Sequence, residues 1–205
     1  IDGKTKEATG ILLNGATLKA NGSGTINVRG QGNSTGISIK KENDDLGLFE
    51  LNADVGLDIT VNGVGIRVSG NKGSGWQVKK SLLTVQQGNK PVSIINADKE
   101  DAGFVGIQST DGGTVLAKRP ITIDAGKGTA IDGYGTFYGG TFKSDGGTAI
   151  RISNVAGLDS VPMSLYAAPF NSKEDPVNMV IDAGKGIAVD ASDYAVRIGG
   201  ARNYS

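Results

Sequence analysis

The twelve residues ITIDAGKGTAID at 121–132 return as MVIDAGKGIAVD at 179–190, with eight positions identical. A shorter form of the same phrase, a glycine followed by alternating β-branched residues, recurs along the chain. It stands as Gly36-Ile37-Ser38-Ile39, Gly65-Ile66-Arg67-Val68, Gly147-Thr148-Ala149-Ile150-Arg151-Ile152 and Gly186-Ile187-Ala188-Val189. Self-similarity of this kind marks a stack of structural repeats. The markers Ile37, Ile66, Ile107, Ile131, Ile150 and Val189 are separated by 29, 41, 24, 19 and 39 residues. These gaps read as one or two units of about 19–24 residues with insertions.

The apolar residues alternate over three or four positions and then stop at Gly, Asn or Asp, as in Thr25-Ile26-Asn27-Val28 and Ile121-Thr122-Ile123-Asp124. Period-two alternation in short β-branched runs predicts many strands, and no stretch carries a helical apolar stripe. The 33 glycines suit a chain that turns every few residues. An antiparallel sandwich also has short strands, but the Asn-Gly and Asp-Gly pairs here are not set between two long strands as hairpins require. A recurrence near 20 residues suits one coil of a three-sided parallel β-helix. The 205 residues then predict roughly eight to ten coils in a single β-helix segment, which is either one domain or a piece of a longer solenoid. Ile37, Ile66, Ile131, Ile150 and Val189 should line its interior. Ser38, Arg67, Gln108, Asp132, Arg151, Asp190 and Arg197 should face outward, with Asp132 and Arg151 on adjacent coils.

The chain carries 21 basic and 21 acidic residues, no cysteine and no histidine. A balanced charge argues against a nucleic-acid partner, and no apolar run is long enough for a spanning helix. Without histidine, Ser-His-Asp and Cys-His nucleophile pairs are excluded from this segment, as are histidine-bearing metal sites. Carboxylate, lysine, arginine and tyrosine chemistry remains, which keeps a sugar-cleaving β-helix in view.

The phrases GTAIRISN (147–154), GIAVDASDYAVRIGG (186–200) and GISIKK (36–41) resemble the rungs of bacterial autotransporter passenger domains, of the pertactin-like and self-associating adhesin group. The resemblance covers most of the chain apart from the insertions. It implies a right-handed parallel β-helix, secreted through the outer membrane and displayed on the bacterial surface. The precursor would carry an outer-membrane barrel beyond this segment. The protease motif and the RGD tripeptide of some relatives have no counterpart here, so the resemblance carries over no site residues.

Asp124-Ala-Gly-Lys-Gly128 and Asp182-Ala-Gly-Lys-Gly186 invite comparison with a phosphate loop. Gly rather than Ser or Thr follows each lysine, and Ile121 and Met179 stand where the first glycine belongs. A turn reused on one corner is the expected role. At three coils of separation, Asp124 and Asp182 would lie about 14 Å apart, too far for paired-carboxylate hydrolysis. Asp98, Glu100 and Asp101, like Asp44 and Asp45, fall in insertions and read as solvated loops. No catalytic residue, metal site or cofactor is expected.

Tyr134, Phe137, Tyr138 and Phe142 form the densest aromatic patch. Phe137 and Phe142 are expected inside, with Tyr134 and Tyr138 partly outside as a contact surface. Insertions are expected near 41–57, 97–106 and 156–178. The last holds Pro162, Pro169 and Pro176 and the apolar residues Val161, Met163, Leu165, Tyr166 and Phe170. It either folds back over a coil or protrudes to present Leu165, Tyr166 and Phe170 to a partner. The function expected is adhesion to a host protein or glycan, or self-association, without enzymatic activity. A polysaccharide lyase or hydrolase is the alternative, with Asp132 and Asp190 bordering a sugar groove. A structural stalk is a third.

Overall fold

A computed structural model describes residues 8–43, 45–70, 81–111, 113–153, 163–170, 177–191 and 196–199. Among them there is no helix, and eighteen strands follow one another: β1 (Thr9–Asn14), β2 (Thr17–Ala20), β3 (Thr25–Lys40), β4 (Leu48–Leu51), β5 (Gly56–Ser69), β6 (Leu82–Val85), β7 (Val92–Asn96), β8 (Val105–Thr110) and β9 (Thr114–Ala117). Then come β10 (Ile121–Asp124), β11 (Thr129–Asp132), β12 (Gly135–Tyr138), β13 (Gly140–Lys143), β14 (Thr148–Arg151), β15 (Met163–Tyr166), β16 (Met179–Asp182), β17 (Ile187–Asp190) and β18 (Val196–Gly199).

The strands pair in parallel with strands two or three places along the chain, never as hairpins. β10 pairs with β7 and β13, β11 with β8 and β14, and β12 with β9 and β15. This builds one 11-stranded and one 7-stranded sheet. The larger sheet folds over a corner, because β3 and β5 each run along two stacks: β5 pairs with β7 through its first half and with β8 through its second. Three stacks result, called faces I (β7, β10, β13, β16), II (β8, β11, β14, β17) and III (β2, β4, β6, β9, β12, β15, β18). The chain is an all-β solenoid.

Among the described residues, successive passes form seven coils. Coil 1 contributes β1 and β2, coil 2 holds β3 and β4, coil 3 holds β5 and β6, and coils 4 to 7 hold three strands each. Seven replaces the eight to ten expected from length. Ile37 pairs with Ile66, Ile66 with Ile107, Ile107 with Ile131, Ile131 with Ile150, and Ile150 with Val189. The gaps of 41 and 39 residues are therefore single coils enlarged by insertions, not pairs of coils. Most of the extra length falls between faces II and III, at residues 41–47, 70–81 and 152–162. Of the insertions expected from sequence, Asp44, residues 156–162 (with Val161 and Pro162) and residues 171–176 (with Pro176) lie outside the described residues. Much of the remainder is coil: 48–51 is β4, 105–106 opens β8 and 163–166 is β15.

The interior is one continuous apolar column per inward position. Ile37, Ile66, Ile107, Ile131 and Ile150 are fully buried, as are Phe137 and Phe142, which meet edge to face at 5.4 Å. Val189, at the last coil, is partly buried. The glycine that opens the repeated phrase serves close approach rather than a positive φ. A Cβ on Gly36 would lie 2.6 Å from the Gly65 carbonyl oxygen and 2.8 Å from Ile59 Cγ2. Gly65 and Gly106 are tighter still, against Ile94 and Ile123 of face I. Backbone and isoleucine thus meet with no room for a methyl group.

Of the two buried charged side chains among the described residues, Arg119 lies deeper than Asp132. Arg119, 2% exposed, donates from Nη1 to the Ala53 carbonyl and from Nη2 to the Val55 carbonyl, each at 2.5 Å. Burial pushes its guanidinium below the ordinary value and nearby Asp54 opposes that. The side chain ties the corner leaving coil 4 to the corner leaving coil 2.

Gly65→Ala is expected to lower the unfolding free energy by about 1–3 kcal/mol through overpacking. Gly24→Ala, where nothing lies within 4 Å of the added carbon, should change it by less than about 0.5 kcal/mol. Urea unfolding of the two variants checks the contrast.

Candidate functional site

Three surface features extend along the stack. The first is the column on face II of Ser38, Arg67, Gln108, Asp132, Arg151 and Asp190, in direct register from coil 2 to coil 7. Arg67 Nε donates to Gln108 Oε1 at 2.9 Å. Asp132 and Arg151 are neighbours as expected, but their polar contacts lead elsewhere. Asp132, 9% exposed, accepts from Ser153 Oγ at 2.5 Å, and Arg151 Nε lies 3.8 Å from Asp190 Oδ2. Asp132 and Asp190 sit two coils apart with Arg151 between them. Asp132 is engaged by Ser153 and Asp190 by Arg151.

The second feature is the row where face III ends. Asn52 Nδ2 donates to Asn21 Oδ1 at 3.0 Å. Lys118 Nζ donates to Gln86 Oε1 at 3.0 Å, and Gln86 Nε2 donates to Glu50 Oε1 at 2.6 Å. The hydrogen bond from Gln86, with Lys19 at 3.2 Å, holds the Glu50 carboxyl below its ordinary value. The row continues as Tyr138 and Tyr166, stacked at 4.9 Å, with Phe170 edge-on to Tyr138 at 5.0 Å and Lys118 Nζ 4.8 Å above the Phe170 ring. Glu50 and Gln86 are 36 residues apart in sequence and Gln86 and Lys118 are 32 apart, so no local motif announced them.

This arrangement corrects the expected contact residues. Leu165 is fully buried, because β15 pairs with β12 and sets it over Phe137 in the interior. Tyr166 is 5% exposed and Tyr138 7%, each covering the other. Tyr134 is also buried, at a corner where its backbone N–H and carbonyl both bond Ser109 Oγ. Phe170 is half-buried and folds back onto Tyr138. The described part of 156–178 thus covers a coil instead of protruding.

The third feature is the corner between faces I and II, built from the repeated phrase. Gly128 N–H bonds the Ala125 carbonyl at 2.9 Å, and Gly186 N–H bonds that of Ala183 at 2.7 Å. In both copies the preceding aspartate accepts from the glycine two residues on, Asp124 from Gly126 at 3.3 Å and Asp182 from Gly184 at 2.9 Å. Gly126 and Gly184 have φ of 57° and 54°, the left-handed region that a side chain strains. The phrase is a turn, as its sequence implies. Asp124 and Asp182 prove to be two coils apart, because Asp124 pairs with Lys143 and Lys143 with Asp182.

Charge alternates from coil to coil along this corner. Lys99 Nζ lies 2.8 Å from Asp124 Oδ2, and Lys143 and Asp182 follow in register. Alongside, Lys127 pairs with Glu100, and Asp145 lies above. Gly184, which precedes Lys185, packs against Asp145. Glu100 first and Asp145 second raise the Lys127 pKa. Burial would raise that of Asp124, but the Lys99 hydrogen bond, the Gly126 N–H and the charges of Lys99 and Lys143 together hold it down. Among the described residues, no group of three or more acidic side chains is placed to hold a metal ion.

No protein-family model, curated protein or solved structure matches this chain.

Because the folded-state pKa of Asp124 is depressed, its stabilisation is present above the ordinary value and is lost as pH falls through the lowered one. Asp124→Asn should therefore cost about 0.2–1 kcal/mol at neutral pH, the range for exposed pairs. Unfolding measured against pH should show the two proteins converging below 3.8.

Proposed function

We propose that the chain is a right-handed, three-sided parallel β-helix that acts as a surface-displayed adhesion or self-association module of a bacterial autotransporter. The observation that carries this reading is the polar column of face II, which runs in register over six coils with Arg67, Gln108, Arg151 and Asp190 in line. A rigid face of evenly spaced donors and acceptors suits extended contact, in which many weak hydrogen bonds act together. Right-handedness rests on the strong preference of parallel crossover connections for that hand. Surface display rests on the resemblance of the Gly-hydrophobic rungs to passenger domains. The partner is a host surface protein, a glycan or a second copy of the chain. The polysaccharide-cleaving alternative is disfavoured by the contacts that occupy Asp132 and Asp190.

The test is to couple the protein to beads and to measure bead clustering and retention on protein-coated and glycan-coated surfaces. The combined substitution Arg67→Ala, Gln108→Ala and Arg151→Ala should leave the fold intact and reduce binding several-fold. Unchanged binding, or release of new reducing ends from a polysaccharide panel by the unmodified protein, contradicts the proposal.

A further inference from the structure

Tyr138 and Tyr166 hold their rings against each other inside the stack, on coils that have neighbours above and below. They are register partners on β12 and β15. Their ring centroids lie 4.9 Å apart, with 24° between the planes. Phe170 stands edge-on to Tyr138 at 5.0 Å, and Lys118 Nζ lies 4.8 Å above the Phe170 ring. Beyond Tyr166 the next coil presents Gly199, where a Cβ would stand 3.0 Å from Tyr166 Cδ1. With Tyr138 7% exposed and Tyr166 5% exposed, packing keeps each ring turned toward the other.

Two phenols held in this way are set for oxidative coupling. Phenoxyl radicals in free solution must first meet by diffusion. Here the β-ladder has already placed the two rings in contact, the advantage that proximity gives to any step between two reactants. The surroundings favour the same outcome. The chain has no cysteine, whose thiolate would otherwise intercept an oxidant. Met163, on the same strand as Tyr166, is fully buried.

We propose that Tyr138 and Tyr166 form a modification site, at which a one-electron oxidant such as the ferryl haem of a peroxidase joins the two rings. Each phenol gives one electron to the oxidant and its O–H proton to water. The two radicals couple through ring carbons ortho to oxygen, and the hydrogens on those carbons move to the oxygens. One C–C bond forms, two electrons reduce the oxidant and two protons leave. The product is a dityrosine that ties coil 5 to coil 6. It constrains the unfolded chain as a disulfide would, in a sequence that has no cysteine to form one. The site is independent of the adhesion reading, which concerns face II.

The test exposes the full chain to a peroxidase with hydrogen peroxide and, separately, to a photo-activated ruthenium complex with persulfate. The ruthenium complex oxidises by electron transfer and needs no contact with the ring. Monomeric protein should lose two hydrogens by intact mass and gain dityrosine fluorescence, and peptide mapping should place the link between Tyr138 and Tyr166. The same treatment of urea-unfolded chain should give at least about five-fold less of that link, because the rings are no longer held together. Cross-linked protein should unfold at higher urea concentration than untreated protein. Tyr138→Phe and Tyr166→Phe should each abolish the monomeric link, whereas Tyr134→Phe should leave it. A link that maps to other tyrosines, an equal yield from folded and unfolded chain, or no monomeric link under either oxidant overturns the proposal.

Discussion

No coil of this molecule satisfies its own backbone. The strands of coils 2 to 6 find partners for their N–H and C=O groups on the coils before and after, through parallel ladders. Coil spacing is therefore set by the hydrogen bond, at about 4.8 Å, and everything inside or outside must fit that interval. Inside, only a residue without a Cβ fits at Gly36, Gly65 and Gly106, where one coil's backbone meets the next and an isoleucine from face I closes the gap. Outside, side chains at matching positions are forced together. They must be compatible with themselves two coils on and with their neighbours one coil on.

Charge alternation answers the second requirement. A repeat that simply copied Asp-Ala-Gly-Lys-Gly on every coil would stack aspartate on aspartate and lysine on lysine. The chain places Lys-Ser-Asp-Gly-Gly between the two copies, so Lys143 separates Asp124 from Asp182. The intervening coil also supplies Ser144, whose hydroxyl bonds a carbonyl below, and Gly147, which allows the turns to touch. On face III the same requirement is met differently, by the chain Lys19–Glu50–Gln86–Lys118 and then by stacked tyrosines.

The repeated phrase made the solenoid and its inward columns legible, because period two and glycine placement are local properties. Coil number was not legible. A gap of 41 residues between Ile66 and Ile107 looks alike whether it holds two coils or one coil with a long corner, and spacing along the chain does not separate them. The separation of Asp124 and Asp182 was overestimated for the same reason. Burial of Tyr138 and Tyr166 was also hidden. Alternation assigns both to the outside, and only the partner ring on the next coil and Phe170 remove them from water. Prolines near Leu165 suggested a loop, yet its place over Phe137 follows from pairing 28 residues away. The polar links of face III join residues too distant in sequence to form a motif.

The central claim is that each recurrence of the phrase is one coil, whatever its length. The chain has no cysteine, so engineered pairs report adjacency directly. Arg67 and Gln108 are register partners 41 residues apart, and neighbouring parallel strands fall within the Cα separation of about 4.4–6.8 Å that a disulfide spans. Arg67→Cys with Gln108→Cys should cross-link under mild oxidation. Arg67→Cys with Asp132→Cys, two coils apart at about 9.6 Å, should not. Cross-linking of the second pair with failure of the first would contradict the coil assignment.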